Sequence, residues 1–200
     1  MPTLVTGGVK SGKSRYALDL AKSEFGPRRF FIATSAVLDE EMTERIERHR
    51  AERKAPDGTD LFETIEEQVC IDEALVHALA GGSGGGGFDV AGSNAKAGQD
   101  TLPRIRPGDR PGVLVDCLPM WVNNLMYHKR ESEFDTILES FIRTMSGDVI
   151  IVTNETGLGN IPFDAETRRY NILLAEANRR IAAACDRVVL MVSGIPLRIK

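Results

Sequence analysis

The chain has 200 residues, 42% of them hydrophobic, and a formal net charge of −4; this apolar content suffices for one domain with a sizeable core and does not demand two. The acidic balance argues against a general nucleic-acid or anionic-membrane surface. Three scattered cysteines, Cys70, Cys117 and Cys185, form no Cys-x-x-Cys pair, so a disulfide framework and a zinc site are not expected and a reducing cytoplasm is. No apolar run approaches membrane-spanning length, and with a motif already under way at Gly7 no signal peptide is expected.

Residues 3–6 form a short β-rich run that predicts the first strand. They lead into Gly7, Gly8, Val9, Lys10, Ser11, Gly12, Lys13 and Ser14, which fit the phosphate-binding pattern of a glycine, four residues of any kind, then Gly-Lys-Ser. Glycines there let backbone N–H groups point at a polyphosphate, Lys13 reaches the outer phosphates, and the Ser14 hydroxyl suits Mg²⁺. A helix predicted over 13–25 aims its positive end at the same place. A plain strand-to-helix turn is the bland alternative, and both flanks weigh against it.

After a second strand at 30–34 comes a helix predicted over 40–54, with Asp39 as N-cap and its charges ordered along the dipole: acids first, Arg and Lys last. Met42, Ile46, His49 and Arg53 fall on one face. His49 therefore follows an apolar stripe into a basic end. The positive charge of Arg45, Arg50 and Arg53 predicts a neutral, nucleophilic ring and a place for an anionic phosphate, although a lone helical histidine is ordinarily surface or packing.

Another helix is predicted over 67–79. Residues 81–112 hold ten of the nineteen glycines and three of the nine prolines, with almost no periodic apolar residue; they read as a flexible insertion. The strand at 113–116 ends in Asp116, the arrangement phosphate-loop enzymes use to hold Mg²⁺ beside a triphosphate. Helices at 120–128 and 132–146 precede a strand at 149–153 that runs into Asn154, Glu155, Gly157 and Gly159, where either a functional edge or a loop ion pair is consistent with the residues. A helix over 165–184, N-capped by Asp164, and a strand at 188–192 close the chain. Apolar strands alternating with helices predict an α/β fold of the phosphate-loop NTPase kind, a mostly parallel sheet with helices on both faces and ligands at the strands' carboxyl ends.

Taken together, Thr6-Gly7-Gly8 and the phosphate loop, Ile32-Ala33-Thr34-Ser35, Leu38 to Met42 with Arg45-Ile46 and His49-Arg50, Asp116-Cys117-Leu118, and Thr153-Asn154-Glu155 with Gly157 and Gly159 resemble the bifunctional adenosylcobinamide kinase and adenosylcobinamide-phosphate guanylyltransferase family of cobalamin biosynthesis. The likeness continues through Pro162, Arg168, Asn178 and 192–196. It implies two reactions: phosphorylation of the aminopropanol hydroxyl of adenosylcobinamide by a nucleoside triphosphate, ATP or GTP, then transfer of GMP from GTP to that phosphate with release of pyrophosphate. His49 matches the family's guanylylated histidine. The phosphate loop, Ala33, Thr34, Ser35, Arg50, Ala51, Glu52, Arg53, Glu66 and Asp116 stand where the family contacts GTP. Relatives look like homotrimers, so a homo-oligomer is expected. Departures lie at 60–63, which lack a His-Trp pair usual in the family, at Thr156, and at Ile172, Ala175 and Arg179 of the last helix. A kinase without the histidine step, and a nucleotide-dependent switch that docks a protein through 81–112, stay open on the residues alone.

Overall fold

The computed structural model describes residues 1–35, 40–82, 110–156, 158 and 161–200, without the side chains of Glu40, Glu41, Met42 and Arg45. In chain order these give β1 (Thr3–Gly7), α1 (Lys13–Glu24), β2 (Arg29–Ala33), α2 (Glu40–Glu52), β3 (Glu63–Glu66), α3 (Ile71–Leu79), β4 (Gly112–Asp116), α4 (Leu118–Tyr127), a 3-10 turn (Glu131–Glu133), α5 (Phe134–Thr144), β5 (Val149–Val152), α6 (Ala165–Ala184), β6 (Arg187–Val192) and β7 (Ile195–Arg198). One seven-stranded sheet runs β3-β2-β4-β5-β1-β6-β7. Every pairing is parallel except that of β6 with β7.

The central strands are apolar throughout because both of their faces are covered. In β1, Leu4 packs into the layer formed with α3 to α6, while its neighbour Val5 packs into the layer under α1; both are buried. Leu114 and Val115 of β4, and Ile151 and Val152 of β5, divide in the same way. The chain leaves β1 through α1 on one face and leaves β5 through α6 on the other, which opens a crevice at the carboxyl ends of β1 and β5.

The expected mostly parallel α/β sheet is present, with differences at its margins. Strands β3 and β7 carry no buried apolar run: three of the four residues of β3 and all of β7 are exposed, and as the two edges of the sheet they are held chiefly by main-chain pairing, with Ile65 of β3 partly buried against the core. The helix expected from 67 begins at Ile71, because the Glu67 carboxylate accepts the N–H groups of Val69 and Cys70 at 2.8 Å each. The one expected over 132–146 divides, the 3-10 turn passing into α5. Asp164 caps α6 as expected, accepting from Thr167 N at 2.7 Å, and this contact holds its carboxyl below the usual range. Asp39 lies outside the described residues.

Of the insertion expected over 81–112, the described residues include only 81–82 and 110–112. Gly81 and Gly82 form the turn that closes α3, their N–H groups donating to Ala78 O and His77 O. Gly112 is the first residue of β4, where a Cβ would stand 2.2 Å from the Phe25 ring, so glycine there is a demand of packing. Residues 83–109 lie outside the described ones.

Candidate active site

At the crevice, Gly7 ends β1 with φ +149°, and a Cβ on it would meet Met191 O at 2.4 Å and Ser11 Oγ at 2.9 Å. Gly8 has open space instead. The loop then closes on itself: Ser11 N donates to Gly8 O at 3.3 Å, and Lys13, only 7% exposed, folds its ammonium back onto Gly8 O and towards Ser11 Oγ at 3.5 Å. No acid stands in the first turn of α1, which leaves that helix end favourable to an anion. Behind the loop, the tight turn between β6 and β7 gives Gly194 N to Ser11 O at 3.2 Å.

The end of β5 is fastened to the same loop. Thr153 N donates to Val5 O at 2.9 Å and Glu155 N to Gly7 O at 3.0 Å. From α6, buried Asn178 accepts from Thr153 Oγ1 at 2.7 Å and donates through Nδ2 to Asn154 O at 2.8 Å. A single amide therefore holds the strand end that lies against Gly7.

Two strands away a second centre forms. Register places Glu66, Ala33 and Asp116 in one row across β3, β2 and β4, so their side chains leave the same face. Over that row lies the last turn of α2. Its end is pinned: Arg53, 7% exposed, sets its guanidinium 3.9 Å from the Phe31 ring centroid, and Lys22 Nζ donates to Glu52 O at 2.9 Å. Burial lowers the Arg53 pKa from its ordinary value, opposed by the nearby Asp116 carboxylate. His49 consequently faces the sheet, with Nδ1 3.6 Å from Asp116 Oδ2. Phe31, Ala33, Ser35, Ile46, Arg50 and Cys117 complete most of the cavity wall, and Arg50 reaches Glu66 Oε1 at 2.5 Å.

Of the residues singled out from sequence, His49, Ala33, Ser35, Arg50, Arg53, Glu66 and Asp116 meet in this cavity. Thr34 lies beneath it, fully buried, its hydroxyl accepting from Cys117 N and donating to Cys117 O at 2.8 Å each. Ala51 and Glu52 are exposed on α2 and do not line the cavity. Gly7, Gly8, Val9, Lys10, Ser11, Gly12, Lys13 and Ser14 form the separate loop centre, and none of them lines the cavity either. The charged group that meets the histidine ring is a carboxylate, whereas the sequence suggested arginines; the strand register brings Asp116 in from 67 residues away, the difference between the two positions in the chain. Sequence reasoning missed Phe31, Thr43 and Glu47 in the wall, and named Cys117, Asn178 and Gly194 only within the family likeness, without their places in the wall or as supports. Thr43, Ile46, Glu47 and Arg50 follow helical spacing, so the helix face could have been read more fully.

Among the described residues no three His, Cys, Asp or Glu gather to hold a metal ion, and no helix is long and apolar enough to cross a membrane. The phosphate loop at the sheet crevice and the histidine-bearing cavity define a nucleotide-handling α/β protein of the phosphate-loop class.

Comparison with known proteins sharpens that class. The family model for cobinamide kinase / cobinamide phosphate guanyltransferase matches residues 3–82 and 94–199, and the chain belongs to this family of enzymes. It is 33% identical over 204 residues to the bifunctional adenosylcobalamin biosynthesis protein CobP of Pseudomonas aeruginosa, covering all of this chain and 98% of the relative. To the bifunctional adenosylcobalamin biosynthesis protein CobU of Escherichia coli it is 31% identical over 216 residues, with 100% of both covered. Residues 83–93 of the glycine-rich stretch have no counterpart in the family model. Among solved structures, an ATPase domain aligns with a TM-score of 0.47 and 9% identity over 94% of this chain and 68% of that one, too loose to add to the sheet order.

Proposed function

We propose that this chain phosphorylates adenosylcobinamide from a nucleoside triphosphate, GTP or ATP, and then transfers GMP from GTP to the resulting phosphate through guanylylated His49. The observation that carries the reading is the cavity in which one imidazole, two guanidinium side chains and three carboxylates, Asp116 the one that meets the ring, converge beside, but apart from, an intact phosphate loop. Phosphoryl transfer chiefly needs positioning and neutralised charge, which the loop N–H groups, Lys13 and the α1 terminus supply. Guanylyl transfer gains from a covalent intermediate that divides one difficult displacement into two.

In this reading Arg50 and Arg53 hold phosphate oxygens of GTP, while Ala33, Ser35 and Glu66 line its seat. Thr34 acts by tying the end of β2 to that of β4. Ala51 and Glu52 fall outside the contact set. Ser14 and Asp116 would hold Mg²⁺, since a hydroxyl and a carboxylate are the hard oxygen donors that this ion shares with phosphate oxygens and water. When bound, the ion neutralises charge on the phosphates. We also read the chain as one domain that assembles as a homotrimer in the cytoplasm. Incubating the protein with adenosylcobinamide, GTP and Mg²⁺ tests the function: mass spectrometry should find the phosphorylated and then the GDP-linked corrinoid, with one pyrophosphate per GDP-linked product. A phosphorylated product that never advances, with GTP in excess, would contradict the second reaction.

A further inference from the structure

Phosphorylating a hydroxyl requires a group that the phosphate loop does not contain, an acceptor for the proton the hydroxyl gives up. No residue of the loop, 7–14, is acidic, and the first turn of α1 holds no acid either. Asp116 faces the other centre, 3.6 Å from the His49 ring. Main-chain bonds clamp the loop from both sides: Gly194 N donates to Ser11 O at 3.2 Å from the turn between β6 and β7, and Glu155 N donates to Gly7 O at 3.0 Å from the end of β5. The β6 side is closed, with Met191 O only 2.4 Å from where a Cβ on Gly7 would stand. The β5 side is the crevice of the sheet, where a ligand enters, and half-buried Glu155 stands on it.

The root of Glu155 is held on three consecutive residues. Thr153 N donates to Val5 O at 2.9 Å, Asn178 Nδ2 to Asn154 O at 2.8 Å, and Glu155 N to Gly7 O. None of these bonds uses the carboxylate, so the fold fixes where that side chain starts relative to the loop and leaves its acid chemistry to the crevice. Resting on the proposed kinase reaction, we infer that Glu155 is a catalytic residue of the first step, its carboxylate accepting the proton of the aminopropanol hydroxyl of adenosylcobinamide. The hydroxyl oxygen forms a bond to the γ-phosphorus held by the loop. The bond from that phosphorus to the β,γ-bridging oxygen breaks, and its electron pair leaves with the nucleoside diphosphate. The proton passes to Glu155 and from there to water once the product has gone. In a loose transition state much of the benefit is orientation, since a hydroxyl hydrogen-bonded to Glu155 presents its lone pair in line with the phosphorus. Glu155 does not line the His49 cavity, and guanylyl transfer does not call on it.

The test compares full-length Glu155→Gln with the wild-type protein in two assays, phosphorylation of adenosylcobinamide with GTP and Mg²⁺, and formation of the GMP adduct by intact mass. The kcat of phosphorylation should fall by roughly 10²-fold, as for loss of a general base, with the nucleotide KM and the adduct unchanged. A kcat near wild type overturns the inference and leaves the kinase reading intact. A loss accompanied by a raised nucleotide KM or by slower adduct formation assigns Glu155 to an ion pair that supports the loop, and overturns it as well. Wild-type protein that never phosphorylates adenosylcobinamide contradicts the proposed function, and the inference with it. Glu155→Asp keeps the charge and draws the carboxylate back by one methylene, which covers the case in which the amide variant does not fold: a lowered kcat at unchanged KM supports the role, and an undiminished kcat overturns it.

Discussion

The two centres at the carboxyl edge of the sheet are built in opposite ways. The phosphate loop is eight consecutive residues whose working groups are mostly backbone N–H, with shape set by Gly7 against Met191 and by the bond from Gly194 to Ser11. The His49 cavity takes five side chains from α2, two from β2 and one each from β3 and β4, and its geometry depends on strand register and on the pinning of one helix end by Arg53. A polyphosphate can be recognised by local main chain alone. A covalent step needs a nucleophile, its orienting group and its cationic clamps brought together over the fold, so mutations should affect the two centres separately.

The largest separation is expected for His49→Asn, which keeps much of the side chain's size and removes the nucleophile. Guanylyl transfer should disappear, while phosphorylation of adenosylcobinamide, measured by the mass of the phosphorylated corrinoid, persists. Loss of both would show that the centres do not act separately. Lys13→Ala is the reciprocal change: kinase turnover should fall by roughly 10² to 10³, as for loss of one charged transition-state contact, with native circular dichroism. An unchanged kinase rate would remove the loop from the mechanism.

Smaller effects test the supports. Asn178→Ala leaves Thr153 Oγ1 and Asn154 O without their buried partner, which should cost about 1–3 kcal/mol in denaturant unfolding and raise the nucleotide KM of the kinase step. Arg53→Ala removes the contact with Phe31, worth about 1–2 kcal/mol where partly desolvated, and should slow guanylyl transfer more than phosphorylation. Gly8→Ala should shift denaturant unfolding by less than about 1 kcal/mol, because its Cβ meets nothing within 4 Å, in contrast to the crowded position of Gly7.

What the sequence disclosed follows the same division. The phosphate loop was legible because its function is local and contiguous, and the central strands because burial on both faces leaves continuous apolar runs. Edge strands β3 and β7 were not, since main-chain pairing leaves no trace in side-chain pattern. Helix and strand patterning pointed to His49, Arg50, Arg53 and Asp116 and resemblance to the family added Glu66, yet neither resemblance nor periodicity revealed that Asp116 faces the ring; that contact exists only through the pairing of Ala33 with Asp116 under α2. Thr34 drew notice as a nucleotide contact, and its burial turns it into a clasp between strand ends.

The central claim, that His49 carries GMP between two substrates, is tested most directly by the intact mass of the protein after incubation with GTP and Mg²⁺. The account predicts one added GMP per reactive subunit, released pyrophosphate, and a linkage labile to acid and stable to base that peptide mapping places on His49 and that His49→Asn lacks. Full yield of adduct in His49→Asn, or a wild-type protein that turns over both substrates without ever acquiring the mass, would contradict it.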